Sequence, residues 1–163
     1  MKLTIASKKS MIICFIIIVG LVALDLITKS IIFANFEMHL DYPCIPGVVR
    51  FYLLENHGSA FGMFQGMKIF LVVVAIIALV FFIFMFKDVD LKEQPMYSIC
   101  LSLIISGTLG NLIDRIFHGS VRDFLTFDFF DFPSFNFADM CMCVGVFLFI
   151  FDILFGETGK KWN

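Results

Sequence analysis

The sequence has little charge, few prolines and no cysteine pattern that could serve as a framework. Only 16% of its 163 residues are charged, the formal net charge is −2 and no long basic run occurs, so nucleic acid is not an implied partner. Five cysteines are present, an odd number. Cys14, Cys100, Cys141 and Cys143 fall inside long apolar runs and Cys44 alone lies in a connection, which argues against structural disulfides. Cys141 and Cys143 are two apart and point away from each other on a helix, so a CxxC-type redox or metal role is not supported. All five are expected to be small packing residues. His39, His57 and His118 lack the HExxH spacing of a zinc protease. No internal repeat or low-complexity tract occurs.

What is abundant is apolar surface. Hydrophobic residues make up 60% of the chain, the mean hydropathy is +0.97 and 23 residues are phenylalanine, well above the roughly 45–50% apolar share of a soluble domain. Four stretches, about 11 to 32, 69 to 86, 96 to 113 and 139 to 155, are long enough to cross a bilayer as helices. One membrane-embedded domain over residues 1–163 is expected. The basic start and the run from Met11 to Leu24 lack a convincing small-x-small cleavage site, so this stretch reads as a retained span rather than a signal peptide. Lys2, Lys8, Lys9, Lys87, Lys92, Lys160 and Lys161 flank the spans on one side; by the positive-inside rule both termini are cytoplasmic. The connections at about 34 to 68 and 114 to 138 then face outward.

The first of these connections holds Val48-Val49-Arg50-Phe51-Tyr52-Leu53-Leu54 between Pro46-Gly47 and Asn56-His57-Gly58, and reads as a short strand entering a turn. The second mixes aromatics with Asp and is expected to include a short interfacial helix. In the third span Ser102, Ser106 and Gly110 recur at four-residue spacing beside Gly107, a stripe that lets two membrane helices approach closely.

Ionisable groups inside or beside hydrocarbon need partners or a function. Asp25 and Lys29 share a helix face in the favourable acid-first order, and Asp25 lies ~22 Å along the first span, in the outer third of the membrane. They form either a self-contained ion pair or a fixed charge pair supporting a site in that layer. Asn111, Asp114 and Arg115 end the third span; they either anchor a helix end or join a network with Asp123. Asn136 and Asp139 have the N-cap to N3 spacing of a helix start, which orients the Asp139 carboxylate and suits the ionised member of a catalytic pair. Asp123, nearer aromatic surroundings, would then hold a shared proton, though the sequence does not assign that proton to either carboxyl. Asp128, Asp131 and Asp152 read as solvated or interfacial.

Together these pieces resemble the bacterial lipoprotein signal peptidases, the type II signal peptidases. The matching motifs are Asp25-Leu26-Ile27-Thr28-Lys29, Asn56-His57-Gly58-Ser59-Ala60-Phe61-Gly62, Gly110-Asn111-Leu112-Ile113-Asp114-Arg115, Val121-Arg122-Asp123-Phe124 and Phe135-Asn136-Phe137-Ala138-Asp139, in the family's order. The resemblance implies four transmembrane helices with a small extracytoplasmic β-cradle and a short outer helix. It also implies a membrane aspartyl endopeptidase of the bacterial cytoplasmic membrane, active near the outer face, without metal or organic cofactor. Its substrates would be diacylglyceryl-modified prolipoproteins, met within membrane lipid and cut before the lipidated cysteine. The catalytic residues fall on Asp123 and Asp139, and the supporting polar residues on Asp25, Lys29, Asn56, Asp114, Arg115 and Asn136. Thr108, Arg122 and Met140 depart from the usual pattern, where Gly, an apolar residue and a small residue are common. Arg122 could lower the Asp123 pKa if the side chains met, but neighbours in an extended segment point apart.

Two other readings have a basis in the residues. Intramembrane ionisable groups often line transport routes, so a small proton- or ion-coupled transporter is one rival. A noncatalytic assembly or chaperone subunit, with a merely structural Asp pair, is the other.

Overall fold

The structure is a computed structural model that describes residues 5–59 and 63–156. Lys2, Lys160, Lys161 and the Ala60-Phe61-Gly62 part of the second motif lie outside the described residues. The chain runs α1 (Ile5–Asn35), β1 (Asp41–Ile45), β2 (Val49–Asn56), α2 (Lys68–Phe86), α3 (Pro95–Phe117), β3 (Val121–Phe127) and α4 (Phe137–Phe155). All four helices are long and apolar enough to cross a membrane. At 1.5 Å per residue the 19-residue helices α2 and α4 reach about 28 Å, close to the hydrocarbon thickness, whereas the 31-residue α1 extends well beyond it.

The sheet and both strand connections lie at one end of the bundle. At the far end are the start of α1, the loop from Lys87 to Gln94 and the end of α4.

Helix α3 is the centre of the bundle and touches each of the other three helices. Within its apolar window 72% of residues are buried, against 17% in α1 and α2 and 22% in α4, whose remaining surfaces carry exposed Ile, Val, Leu and Phe. Its lower hydropathy follows from this position, because Ser102, Ser106, Thr108, Gly107 and Gly110 face protein instead of lipid. The hydroxyls are satisfied within the helix: Ser102 Oγ donates to the Ser98 carbonyl at 2.7 Å and Thr108 Oγ1 to the Ile104 carbonyl at 2.7 Å. The glycines admit neighbours. A Cβ on Gly107 would run into the Ala138 carbonyl of α4, and one on Gly145 of α4 would lie 3.0 Å from the Cys100 carbonyl of α3. Lipid tails are as apolar as leucine, so this close van der Waals contact, and not hydrophobic transfer, holds α3 to α4.

Towards the far end the interior is apolar, built from Cys14, Ile18, Leu79, Met85, Val89, Tyr97, Leu101 and Ile105. The Tyr97 hydroxyl donates to the Met85 carbonyl at 3.0 Å, and Ser10 Oγ accepts the Leu91 N–H at 3.0 Å, which closes the α2–α3 loop onto α1. Pro95 at the first turn of α3 needs no donor there and sets the helix start.

The three strands form an antiparallel sheet in the order β1-β2-β3. Gly47, at φ +75°, makes the turn between β1 and β2 that a side chain would strain. Arg50 of β2 crosses the sheet, 2.7 Å from Asp41 of β1 and 2.7 Å from Asp128 just beyond β3. Phe36 at the end of α1 packs on Tyr42 and Phe51, and Phe51 on Phe124, so an aromatic row seats the sheet on the bundle.

Several expectations need correction. The strand foreseen at 48 to 54 is β2, but its partners were not foreseen. The segment 114 to 138 contains β3, and no short outer helix occurs among the described residues. Alternating burial along Val121–Phe127 and pairing with β2 favour the extended form there. Helix α3 continues to Phe117, so Asn111, Asp114 and Arg115 sit within its final turns. Cys44 and Cys143 are exposed, not packed, and Asp152 is buried.

Candidate active site

The sheet end of the bundle gathers the buried polar residues. Asn136 precedes α4 in extended conformation and caps it: its Oδ1 accepts the Asp139 N–H at 3.0 Å, while Asp139 Oδ2 accepts the Asn136 N–H at 3.1 Å. This reciprocal box satisfies two donors that a helix start otherwise leaves unpaired. It also fixes the Asp139 carboxylate at the positive end of the helix. Asp139 Oδ1 accepts a 2.7 Å bond from the Asn111 side-chain amide of α3.

The side-chain amide hydrogens of Asn136 reach across to β3 and to α3. Asn136 Nδ2 donates to Asp123 Oδ1 at 2.6 Å and to Asn111 Oδ1 at 3.1 Å. Asn56 of β2, next to β3 in the sheet, donates to Asp123 Oδ2 at 2.9 Å and accepts the Gly58 N–H at 2.9 Å. Both carboxylates are therefore held by the same residue, Asn136, from opposite sides. Asp123 is 1% exposed, and burial, with a further contribution from the charge of Asp139, pushes its pKa up to about 7. The amides of Asn56 and Asn136 oppose that rise by stabilising the ionised form.

Behind this pair lies a row of fixed charges. Lys29, fully buried, is 2.8 Å from Asp25 Oδ2, 3.1 Å from Asn111 Oδ1 and 3.4 Å from Asp114 Oδ2. Asp25 Oδ1 accepts the Ala138 N–H of α4 at 2.9 Å. Asp114 is gripped from the other side by Arg122. Arg115 donates to the Gly58 carbonyl at 3.1 Å, tying the turn after β2 to α3, and its charge acts on both Asp123 and Asp139.

All eight residues singled out in the sequence thus meet in one cluster: Asp123, Asp139, Asp25, Lys29, Asn56, Asp114, Arg115 and Asn136. The unrelated polar groups stay outside it. His57 is exposed and faces Glu55, and Asp131 is exposed. The sequence departures are accommodated: Thr108 bonds its own helix, Met140 faces outward, and Arg122 points away from Asp123.

What residue types alone did not reveal is the part played by main chain and by missing side chains. The Ala138 N–H and the Gly58 carbonyl are main-chain groups that any residue carries. Gly110 acts through its lack of a side chain, since a Cβ there would lie 2.5 Å from Asp25 Oδ2. Its place in the four-residue stripe signalled close approach but not to what.

Chemically, the cluster offers one carboxyl whose proton is lost only around neutrality, at about pH 7, and a second oriented by a helix start. Two such groups can position a water, remove its proton and hydrogen-bond a carbonyl oxygen.

The chain is also similar to known proteins over most of its length. A family model described as signal peptidase (SPase) II matches residues 17–155. The lipoprotein signal peptidase of Lactiplantibacillus plantarum is 33% identical over 146 residues, covering 90% of this chain and 97% of that protein. The lipoprotein signal peptidase of Shouchella clausii is 35% identical over 147 residues, covering 90% and 96%. A bacterial membrane enzyme solved by the in meso method at 2.3 Å superposes with a TM-score of 0.82 at 32% identity, covering 92% of each chain.

Proposed function

Because the chain belongs to the signal peptidase II family, we propose that it removes the signal peptide from diacylglyceryl-modified prolipoproteins, cutting before the lipidated cysteine, by an aspartic mechanism. The observation that carries the mechanism is that the single residue Asn136 holds both carboxyls, Asp123 by its side-chain amide and Asp139 by its main-chain N–H. Asp139, fixed in the capping box, takes a proton from a water between the carboxylates. Asp123 keeps its proton and donates a hydrogen bond to the scissile carbonyl oxygen while the water oxygen adds to the carbonyl carbon; as the C–N bond breaks, the proton taken by Asp139 passes to the leaving amine. Asp25, Lys29, Asn56, Asp114, Arg115 and Asn136 orient the two carboxylates and balance their charge. The whole chain acts as one membrane-embedded peptidase unit.

The position of the site suits this substrate. Lys8, Lys9, Lys87 and Lys92 cluster at the far end, so the positive-inside rule puts that end and both termini in the cytoplasm of a bacterium and the sheet end at the outer face. The substrate's apolar signal helix would lie against the lipid-facing helices with its acyl chains in membrane lipid, presenting the bond at the layer of Asp123 and Asp139. A transport route is not supported: between this cluster and the far end the interior is lined by Cys14, Ile18, Leu101 and Ile105, and the buried hydroxyls of Ser102 and Ser106 there are committed to carbonyls of their own helix.

The test is incubation of purified protein in lipid with a diacylglyceryl-modified precursor and with its unmodified form, followed by mass analysis. The expected product begins at the lipidated cysteine and arises from the modified precursor alone. No product under conditions where the protein is folded contradicts the assignment.

A further inference from the structure

Arg122 stands beside one member of the proposed catalytic pair, yet its side chain leaves the site. Successive side chains alternate along an extended strand, so while Asp123 faces Asn56 and Asn136, Arg122 turns to the end of α3. There Nη2 donates to Asp114 Oδ1 at 2.8 Å, Nε to Oδ2 at 3.3 Å and the main-chain N–H to Oδ2 at 3.0 Å. The Arg122 side chain is 12% exposed and Asp114 is fully buried. A two-pronged guanidinium–carboxylate contact fixes orientation as well as distance, which a lysine cannot reproduce.

The contact is one end of a longer chain of charges. Beyond Asp114 comes Lys29 at 3.4 Å, then Asp25 at 2.8 Å from Lys29, then the Ala138 N–H at 2.9 Å. Its two ends are the sequence neighbours of the two carboxylates, Arg122 before Asp123 and Ala138 before Asp139. Along it cation and anion alternate, with two of each: Arg122, Asp114, Lys29 and Asp25.

We propose that Arg122 is a positioning residue for the cleavage reaction: by clamping β3 to α3 through Asp114 it holds Asp123 in register with Asp139, and its charge completes the neutral row of buried ion pairs behind them. This rests on the reading of Asp123 and Asp139 as the catalytic pair. An apolar residue at position 122 keeps the main-chain bond to Asp114 but loses both guanidinium bonds and leaves Asp25 and Asp114 to share Lys29 alone. The uncompensated negative charge makes ionisation of Asp123 harder. The charged and polar groups that face Asp123 are Asp139 and Asn136 at α4, Asn56 of β2, Lys29 of α1 and Arg115 of α3, with Asp25 and Asp114 behind Lys29. None of these replaces the missing cation, since Arg115 is committed to the Gly58 carbonyl.

Cleavage of lipidated precursor is measured against pH in lipid for the wild type, Arg122→Leu, Arg122→Lys and Arg50→Leu. Arg50 braces the same sheet without touching the pair, so it reports what sheet bracing alone contributes. For Arg122→Leu, kcat falls on the order of tenfold with KM little changed, the scale of a small misplacement of reacting groups. The alkaline limb of its profile moves to higher pH. Arg122→Lys keeps the charge but not the fork, so its limb stays in place while kcat is intermediate. Arg50→Leu lowers the thermal transition and leaves kcat and the limb unchanged. Wild-type kcat and limb in Arg122→Leu, or an equal displacement of the limb in Arg50→Leu, overturns the proposal. If Arg122→Leu does not fold, Arg122→Lys decides: wild-type kcat overturns the proposal and a reduced kcat with an unmoved limb supports it. Failure of the underlying reading shows separately, as cleavage by Asp123→Asn or Asp139→Asn.

Discussion

The two ends of this helix bundle are held together by different physics. At the far end α1, α2 and α3 meet through Cys14, Ile18, Leu79, Met85, Tyr97 and Leu101, and the hydroxyls of Ser10 and Tyr97 bond main-chain groups. At the sheet end α1, α3 and α4 meet through Asp25, Lys29, Asn111 and Asp114, all buried and all bonded to a different element. Apolar packing is tolerant, because a lost methyl group leaves a small void whose neighbours partly relax. A buried charge network is not, because removing one member strands its partners in a medium that cannot solvate them. A bundle that needed only stability could be apolar throughout; this network of intolerant interactions surrounds the proposed catalytic pair.

Substitutions at the two ends sharpen this contrast. The largest effect is expected for Asp123→Asn and Asp139→Asn, each of which should lower kcat/KM by on the order of 10³-fold or more, as measured with lipidated precursor, while the protein stays folded in the membrane. Lys29→Met comes next. It leaves Asp25 and Asp114 without their shared cation and should cost about 3–5 kcal/mol in a reversible unfolding assay, together with most activity. Leu101→Ala at the far end should cost about 2 kcal/mol, the low end for a buried leucine because lipid offers no hydrophobic transfer term, with kcat unchanged once the variant is folded. A Leu101 variant that lost activity at full folding would erase the distinction between the ends.

Glycine substitution makes the same comparison at smaller scale. In Gly110→Ala the new methyl meets the Asp25 carboxylate, and activity should fall on the order of tenfold through displacement of the charge row. Gly20→Ala, where nothing lies within 4 Å, should leave activity unaltered.

The two ends also differed in how much of them the sequence revealed. The far end is written in its hydrophobic runs, and the four helices follow to within a few residues at most boundaries. Much of the sheet end was legible too, because charges inside apolar runs are costly enough to demand partners, and because Asn136 and Asp139 carry the spacing of a capping box. What escaped were properties of pairing. Strand β3 has no continuous apolar alternation, since Arg122 and Asp123 interrupt it, and its form depends on β2. The burial of Asp152 and the turn of Arg122 towards Asp114 depend on which helix lies alongside. The Ala138 N–H and Gly58 carbonyl carry no residue signature at all.

The central claim is that Asp123, buried beside Asp139 in this network, works as a carboxyl that keeps its proton up to about pH 7. The most direct test is the single-turnover rate of lipidated-precursor cleavage in lipid, followed from about pH 5 to about pH 9. Burial and the neighbouring charge raise the Asp123 pKa from the ordinary carboxylate value of 3.8 to about 7, so its proton is present below that pH and lost above it. The account predicts a rate that falls as the pH rises through about 7. A rate that stays level to the alkaline end, or rises with pH throughout, would contradict it.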